Sequence, residues 1–237
     1  MKSLQTMLIL TALICSQITH ADMAMNDNPI ITRAYIQTFE YRIGQGEDAL
    51  HWEDATLRIG TDLNRIVATS NGDANDGKID TADFSIQYSR SVSTYWDARF
   101  GWQRDIRPKP KRDWFIAGFT GIAPYFFDTE IYLGIGRSGS VKLHAESEIE
   151  MLITQRWMLA PAVSADFYSD DDPEVGIGSG LSETELGLRL RYVARKNFLP
   201  YFGINWVQEY GSTAKLSKAN GNQSHQTQWV IGIKAWY

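Results

Sequence analysis

Five side chains in the middle of the sequence could together bind a metal ion: His144, Glu146, Glu148, Met158 and Asp166. Imidazole, thioether and carboxylate groups are ligands from which proteins build transition-metal sites. His144, Glu146 and Glu148 are spaced two residues apart, so a β-strand would place them on one face. Met158 and Asp166 would share a face of the next strand, joined to the first by a tight turn. The pattern therefore predicts a metal site where these two faces converge.

The same residues also fit an ordinary charged interior of a β-barrel. In that interpretation Glu146 and Glu148 pair with basic side chains such as Arg156, Arg189 and Arg191. A glutamate-rich wall would also concentrate cations and repel anions, whether or not a metal ion is bound. The sequence leaves both interpretations open.

The elements that would position these side chains are β-strands, because residues of alternating character follow one another along most of the chain. In the segment 183–192, Leu186, Leu188 and Leu190 face one way, and charged residues such as Glu185 and Arg189 face the other. We expect twelve strands of this kind, at 33–43, 51–60, 63–70, 81–91, 94–104, 113–122, 125–136, 139–151, 155–168, 181–195, 199–210 and 225–237. Most span about ten residues or more, which suits a tilted strand crossing a membrane.

The predicted connections alternate between short and long. Tight turns are expected near 60–62, 92–93, 123–124, 152–154 and 196–198. Longer polar loops are expected at 44–50, 71–80, 106–112, 169–180 and 211–224. Only the short connection at 137–138 departs from this alternation. Short turns at one end and long loops at the other are typical of an outer-membrane barrel, with the turns in the periplasm. The predicted fold is therefore an all-β, transmembrane antiparallel barrel of about twelve strands, over residues 33–237.

A soluble lipocalin-like barrel or β-sandwich would show the same alternation, with its apolar face turned inward. Periodicity alone does not distinguish the two, so strand length, loop asymmetry and the C-terminus decide. The last strand is amphipathic and ends in the aromatic Tyr237. This ending resembles the signal that the outer-membrane assembly machinery reads, and it favours the membrane barrel.

The N-terminus has the features of a secretory signal. Lys2 precedes an apolar run over residues 7–15, and a small-x-small sequence ends at Ala21. We expect residues 1–21 to be removed by cleavage after Ala21. The run is too short to span a bilayer, and no later stretch approaches 18 apolar residues.

The mature chain is expected to begin with a short arm, residues 22–32, that contains Met23 and Met25. Cys15 is the only cysteine, so the mature chain would have no disulfide. Two methionines on a flexible arm would make at most a weak soft-metal site, and incidental residues of a disordered tail explain them as well.

Two classes of function are disfavoured by the sequence. The net charge of −5 is the opposite of the basic surface that a nucleic-acid-binding protein needs. A barrel enzyme would need a nucleophile beside His51 or His225, and neither lies in a recognisable catalytic motif. We therefore expect neither nucleic acid as a partner nor enzymatic activity.

Several segments of the chain resemble the copper resistance protein B family. The most specific is "DDDPEVGIGSGLSETELGLRLRY" at 170–192, and others lie at 60–72, 88–105, 121–139, 152–161 and 199–214. The resemblance implies a twelve-stranded barrel in a Gram-negative outer membrane that binds or exports copper ions. It also implies contact with lipid and lipopolysaccharide, and a periplasmic copper oxidase or carrier as partner.

Members of that family often carry a segment rich in methionine and histidine before the barrel, and here only Met23 and Met25 occupy that region. The alternative function is therefore a generic, cation-preferring porin or structural outer-membrane protein without a copper role.

Overall fold

The computed structural model describes residues 28–44, 48–221 and 223–237. The predicted signal, its cleavage site at Ala21, Met23 and Met25 lie outside these residues. The strands are β1 Ile31–Gly44, β2 Ala49–Gly60, β3 Asn64–Asn75, β4 Lys78–Ser91, β5 Trp96–Arg107, β6 Arg112–Ala123, β7 Phe127–Gly136, β8 Val141–Glu148, β9 Met151–Leu152, β10 Trp157–Tyr168, β11 Gly180–Tyr192, β12 Phe198–Glu209 and β13 His225–Trp236. One α-helix, α1, spans Gly211–Ala219, and a 3-10 turn spans Pro124–Phe126.

The strands form a closed antiparallel barrel. Each pairs with its neighbours in chain order, and β13 pairs with β1 to close the sheet. The short strand β9 continues the line of β8 along β10, so the two form one stave. The barrel therefore has twelve staves, as the sequence predicts, and closure leaves no open edge of unpaired backbone groups.

Polar and apolar side chains occupy the reverse of the positions they hold in a soluble protein. Arg191 and Asn205 are 0% exposed, whereas Phe202 is 52% and Ile231 is 61% exposed. Apolar residues outside and charged residues inside are what a hydrocarbon solvent around the barrel requires. No helix within the described ranges is long and apolar enough to cross a membrane.

Two of the predicted long loops contain regular structure. The segment 71–80 continues β3 and β4 as far as a two-residue turn at Asp76 and Gly77, so the prediction of a long loop there is wrong. Both turn residues have positive φ, as in the tight turns that match the twist of paired strands. The segment 211–224 contains α1, which the sequence analysis did not anticipate.

Helix α1 is held against the loop that joins β10 to β11. The Thr213 hydroxyl accepts a 2.9 Å hydrogen bond from the Gly178 backbone N–H and shares a 2.8 Å bond with the Ser182 hydroxyl. In the same loop, the Ser179 N–H donates a 2.6 Å bond to Asp171 and holds the pKa of that carboxyl below its usual range. The helix and this loop together form one side of the outer mouth.

Replacing Thr213 with Val is expected to release α1, because it keeps the side-chain shape but leaves the Gly178 N–H without its partner. An unsatisfied buried donor costs about 1–3 kcal/mol. Trypsin cleavage after the exposed Lys215 and Lys218 should become faster in the intact barrel. Thr213→Ser keeps the hydroxyl and should cleave at the wild-type rate, and equal rates for all three proteins would contradict the role assigned to this contact.

Candidate functional site: an acidic vestibule closed by an ionic layer

A network of ion pairs fills the middle of the lumen. We call this set the ionic layer: Glu40, Arg42, Glu148, Glu185, Arg189 and Arg191. Arg189 donates two 2.9 Å hydrogen bonds to Glu40. Arg42 contacts Glu40 at 2.9 Å and Glu185 at 3.0 Å. Every guanidinium of the layer is thus paired, as buried charges require.

The layer reaches across the barrel. Arg191 donates two 2.7 Å hydrogen bonds to Glu148 and a third, also 2.7 Å, to Glu150. The amide of Gln37 on β1 donates to the same Glu148 on β8 at 3.2 Å. Strands β1 and β8 lie five staves apart by the shorter way round. The ionic layer therefore divides the lumen into an outer part, at the end with the longer loops, and an inner part, at the end with the tight turns.

A cavity of about 750 Å³ occupies the outer part of the lumen. We call it the acidic vestibule. Among the residues that the structure describes, ten acidic side chains and three Lys or Arg side chains line it. The acidic ones are Glu53, Asp54, Asp83, Asp105, Glu130, Glu146, Asp166, Glu174, Glu183 and Glu209. Asp105 is balanced by Arg112 at 3.0 Å and Lys142 at 3.9 Å, which leaves an excess of negative charge on the wall. Such a wall concentrates cations.

An extra residue in β2 turns two consecutive carboxylates into the vestibule. The β2–β3 register shifts between Trp52 and Ala55, and Asp54 has a φ of 50°. The backbone N–H of Asp54 donates to the Asn71 side chain at 2.8 Å. Both Glu53 and Asp54 line the cavity as a result. A β-bulge commonly re-aims a side chain in this way.

His144 lies in the vestibule wall, as predicted. Its Nδ1 is 2.8 Å from Asp166 on the neighbouring strand, and its Nε2 is 4.0 Å from Glu146. Its ring stacks on that of Tyr132, with 5.0 Å between centroids. We call His144, Glu146 and Asp166 the second histidine station, because a similar set of residues lies earlier in the chain.

A matching arrangement on β2 and β3 was not predicted as a metal site. His51 Nδ1 is 2.7 Å from Asp73, and His51 Nε2 is 3.8 Å from Glu53. We call these three residues the first histidine station. The sequence signal was available, since "HWE" at 51–53 and "HAE" at 144–146 share the same His-x-Glu spacing.

The structure does not bring the other two predicted ligands to His144. Met158 pairs with Arg191 and Leu152, eight residues along β10 from Asp166, which is about 26 Å at the rise of a strand. Glu148 is engaged by Arg191 in the ionic layer. The predicted convergence of all five side chains is therefore wrong, because side chains on the same face of a strand can still lie far apart along it. In the described part of the chain, no three His, Cys, Asp or Glu side chains are already arranged to hold a metal ion.

The comparison with known families agrees with this barrel. The sequence model of the family described as "Copper resistance protein B precursor (CopB)" matches residues 30–237. The chain belongs to the copper resistance protein B family. Copper resistance protein B of Escherichia coli is 34% identical over 214 residues, covering 90% of this chain and 72% of that protein. The homolog from Pseudomonas syringae pv. tomato is 31% identical over 219 residues, covering 92% and 74%.

A solved structure confirms the barrel type of this copper resistance protein B family member. The NanC porin superposes with a TM-score of 0.55 at 12% identity, covering 86% of this chain and 99% of that porin. At this identity the likeness establishes the fold and nothing further. Family and fold together place the chain in the outer membrane of a Gram-negative bacterium.

Proposed function

We propose that this protein binds copper ions in its acidic vestibule and passes them across the outer membrane as part of copper resistance. The observation that carries the proposal is the lining of the vestibule, where ten carboxylates outnumber three basic side chains and two His-x-Glu segments contribute carboxylates. Membership of the copper resistance protein B family supports copper as that cation. Charge on the wall raises the local concentration of copper, and the ionic layer below it is the barrier to passage.

Two kinds of partner belong to the proposal. Lipid and lipopolysaccharide surround the apolar outer face, into which the assembly machinery inserts the barrel. A periplasmic copper oxidase or copper carrier exchanges ions with the end of the lumen that opens on the tight turns.

Copper tolerance tests this function in a strain that lacks this barrel and its paralogues. The wild-type gene should restore growth on copper. A triple variant, Glu53→Gln, Asp54→Asn and Glu146→Gln, should fail to restore it and should bind copper about tenfold more weakly, about 1.4 kcal/mol.

The matched control removes three negative charges outside the vestibule, by Asp62→Asn, Asp76→Asn and Asp80→Asn, all at exposed positions. This control should behave as wild type. Unchanged tolerance after deletion would contradict the copper function. It would favour the second candidate, a cation-preferring porin, because an acidic wall attracts any cation.

A further inference from the structure

We propose that the two histidine stations are a matched pair of Cu(II)-binding sites on opposite sides of the lumen, each with the histidine Nε2 as its nitrogen ligand. This inference rests on the proposed function only in taking copper as the cargo. The sites themselves follow from the geometry of His51, Glu53 and Asp73 and of His144, Glu146 and Asp166.

The two stations agree in the contacts that each imidazole makes with its aspartate and its glutamate. The Nδ1-to-Asp distances are 2.7 and 2.8 Å, and the Nε2-to-Glu distances are 3.8 and 4.0 Å. The side chains of His51 and His144 are 13% and 16% exposed.

The stations also occupy equivalent places in the barrel. From β2 to β8 there are six steps through β3, and six steps back through β13 and β1, so the two histidine strands are opposite. Each partner aspartate lies on the following stave, directly across from its histidine: Asp73 from His51, and Asp166 from His144. The pairing with the next strand, β4 for Asp73 and β11 for Asp166, shifts register directly after each aspartate. The stations are therefore related by an approximate two-fold axis along the lumen.

The hydrogen bond of each Nδ1 prepares the other nitrogen for a metal. A metal-binding histidine usually gives its second N–H to a carboxylate, which fixes the ring and its tautomer. Asp73 and Asp166 occupy that position here. The Nε2 of His51 is buried and has no hydrogen-bond partner. A divalent ion about 2.0 Å from both Nε2 and the glutamate oxygen needs a separation between about 3 and 4 Å, depending on the ligand angle. Both stations lie at the upper end of this range.

The donor set selects the oxidation state. Imidazole and carboxylate groups suit Cu(II), whereas thioethers suit Cu(I). Met158 lies about 26 Å along β10 from Asp166, and Met151 pairs with Leu159 beside it. Among the described residues that line the vestibule there is no methionine. The stations should therefore take Cu(II) and leave Cu(I) unbound.

The test is a titration of the purified mature barrel in detergent with Cu(II), followed by calorimetry and electron paramagnetic resonance. We expect two ions per barrel, each with one nitrogen ligand in the spectrum. His51→Ala and His144→Ala should each bind one ion, and the double variant none. His225→Ala is the matched control, since His225 is exposed at the start of β13, and it should bind two.

Asp73→Asn and Asp166→Asn provide a second measurement that does not remove a ligand. Each should weaken binding at its own station by about 10–100-fold while the barrel stays folded. Cu(II) binding by the double histidine variant would show that the stations are not the Cu(II) sites. The proposal would also fail if the wild-type barrel bound Cu(I) and the double histidine variant did not.

Copper tolerance separates this inference from the proposed function. If the double histidine variant loses both ions but still restores tolerance, the stations stand and the proposed function fails. If that variant still binds two ions while the wild-type gene restores tolerance, the proposed function stands and the stations fail.

Discussion

The free energy of unfolding of the barrel is expected to fall by about 3–5 kcal/mol when Arg191 is replaced by Ala, the loss typical of breaking a buried ion pair. Arg191 is fully buried and neutralises Glu148 through two 2.7 Å hydrogen bonds. Its removal leaves that carboxylate in the lumen with Gln37 and the more distant Lys234, 3.9 Å away. Equilibrium unfolding by denaturant in detergent, followed by tryptophan fluorescence, measures the change.

The expected loss of stability comes from the unpaired charge of Glu148. Neutralising Glu148 as well should therefore restore part of the stability. The double variant Arg191→Ala, Glu148→Gln is expected to be more stable than Arg191→Ala alone. Arg195→Ala is the control, because Arg195 is exposed beyond the end of β11 and its loss should change stability by less than about 0.5 kcal/mol. Equal losses at Arg191 and Arg195 would show that the ionic layer does not stabilise the fold.

Removing one ion pair of the layer is expected to open the barrel to ions. Glu40→Ala with Arg189→Ala takes away a bidentate pair and keeps the net charge, while Arg42 retains Glu185. In planar bilayers the wild-type barrel should give currents close to the baseline. The double variant should give steady channels that prefer cations, because the acidic vestibule lies in series with the new opening.

Arg104→Ala with Asp113→Ala removes an ion pair of similar length, 2.7 Å, away from the ionic layer. That control should conduct as poorly as the wild-type protein. A wild-type conductance equal to that of the Glu40 and Arg189 variant would mean that the ionic layer is no barrier, and passage would then need no rearrangement.

Most of the fold follows from the alternation of residues. The twelve staves were predicted because apolar and charged residues alternate along each of them, as Leu186 to Leu190 show against Glu185 and Arg189. Which face points inward could not come from periodicity, since a soluble barrel has the same period. Exposure decides it: Phe202 is open to the surroundings and Arg191 is enclosed. Helix α1 was missed because its sequence, Gly211–Ala219, has a polar composition that also suits a loop.

The candidate site was predicted in part. Alternation correctly placed His144, Glu146 and Asp166 on one wall, because it determines the face of a strand. It does not determine height along the barrel axis, which depends on register, and Met158 was misplaced for that reason. The first histidine station was missed because Asp73 falls in a segment taken for a loop, and its pairing with His51 exists only when β3 extends that far.

Because of the extra residue at Asp54, the residues of β2 that face the lumen change from odd-numbered to even-numbered positions. Outward of it, the odd-numbered His51 and Glu53 face the lumen; on the periplasmic side, the even-numbered Thr56 does. Deleting one residue there would change no other side chain chemically. In one half of the strand, however, the lumen-facing side chains would turn outward and the outward-facing ones would turn into the lumen. The first histidine station therefore depends on the length of β2 as much as on its composition. We therefore expect a single-residue insertion or deletion in β2 to disrupt the first histidine station more than most substitutions would.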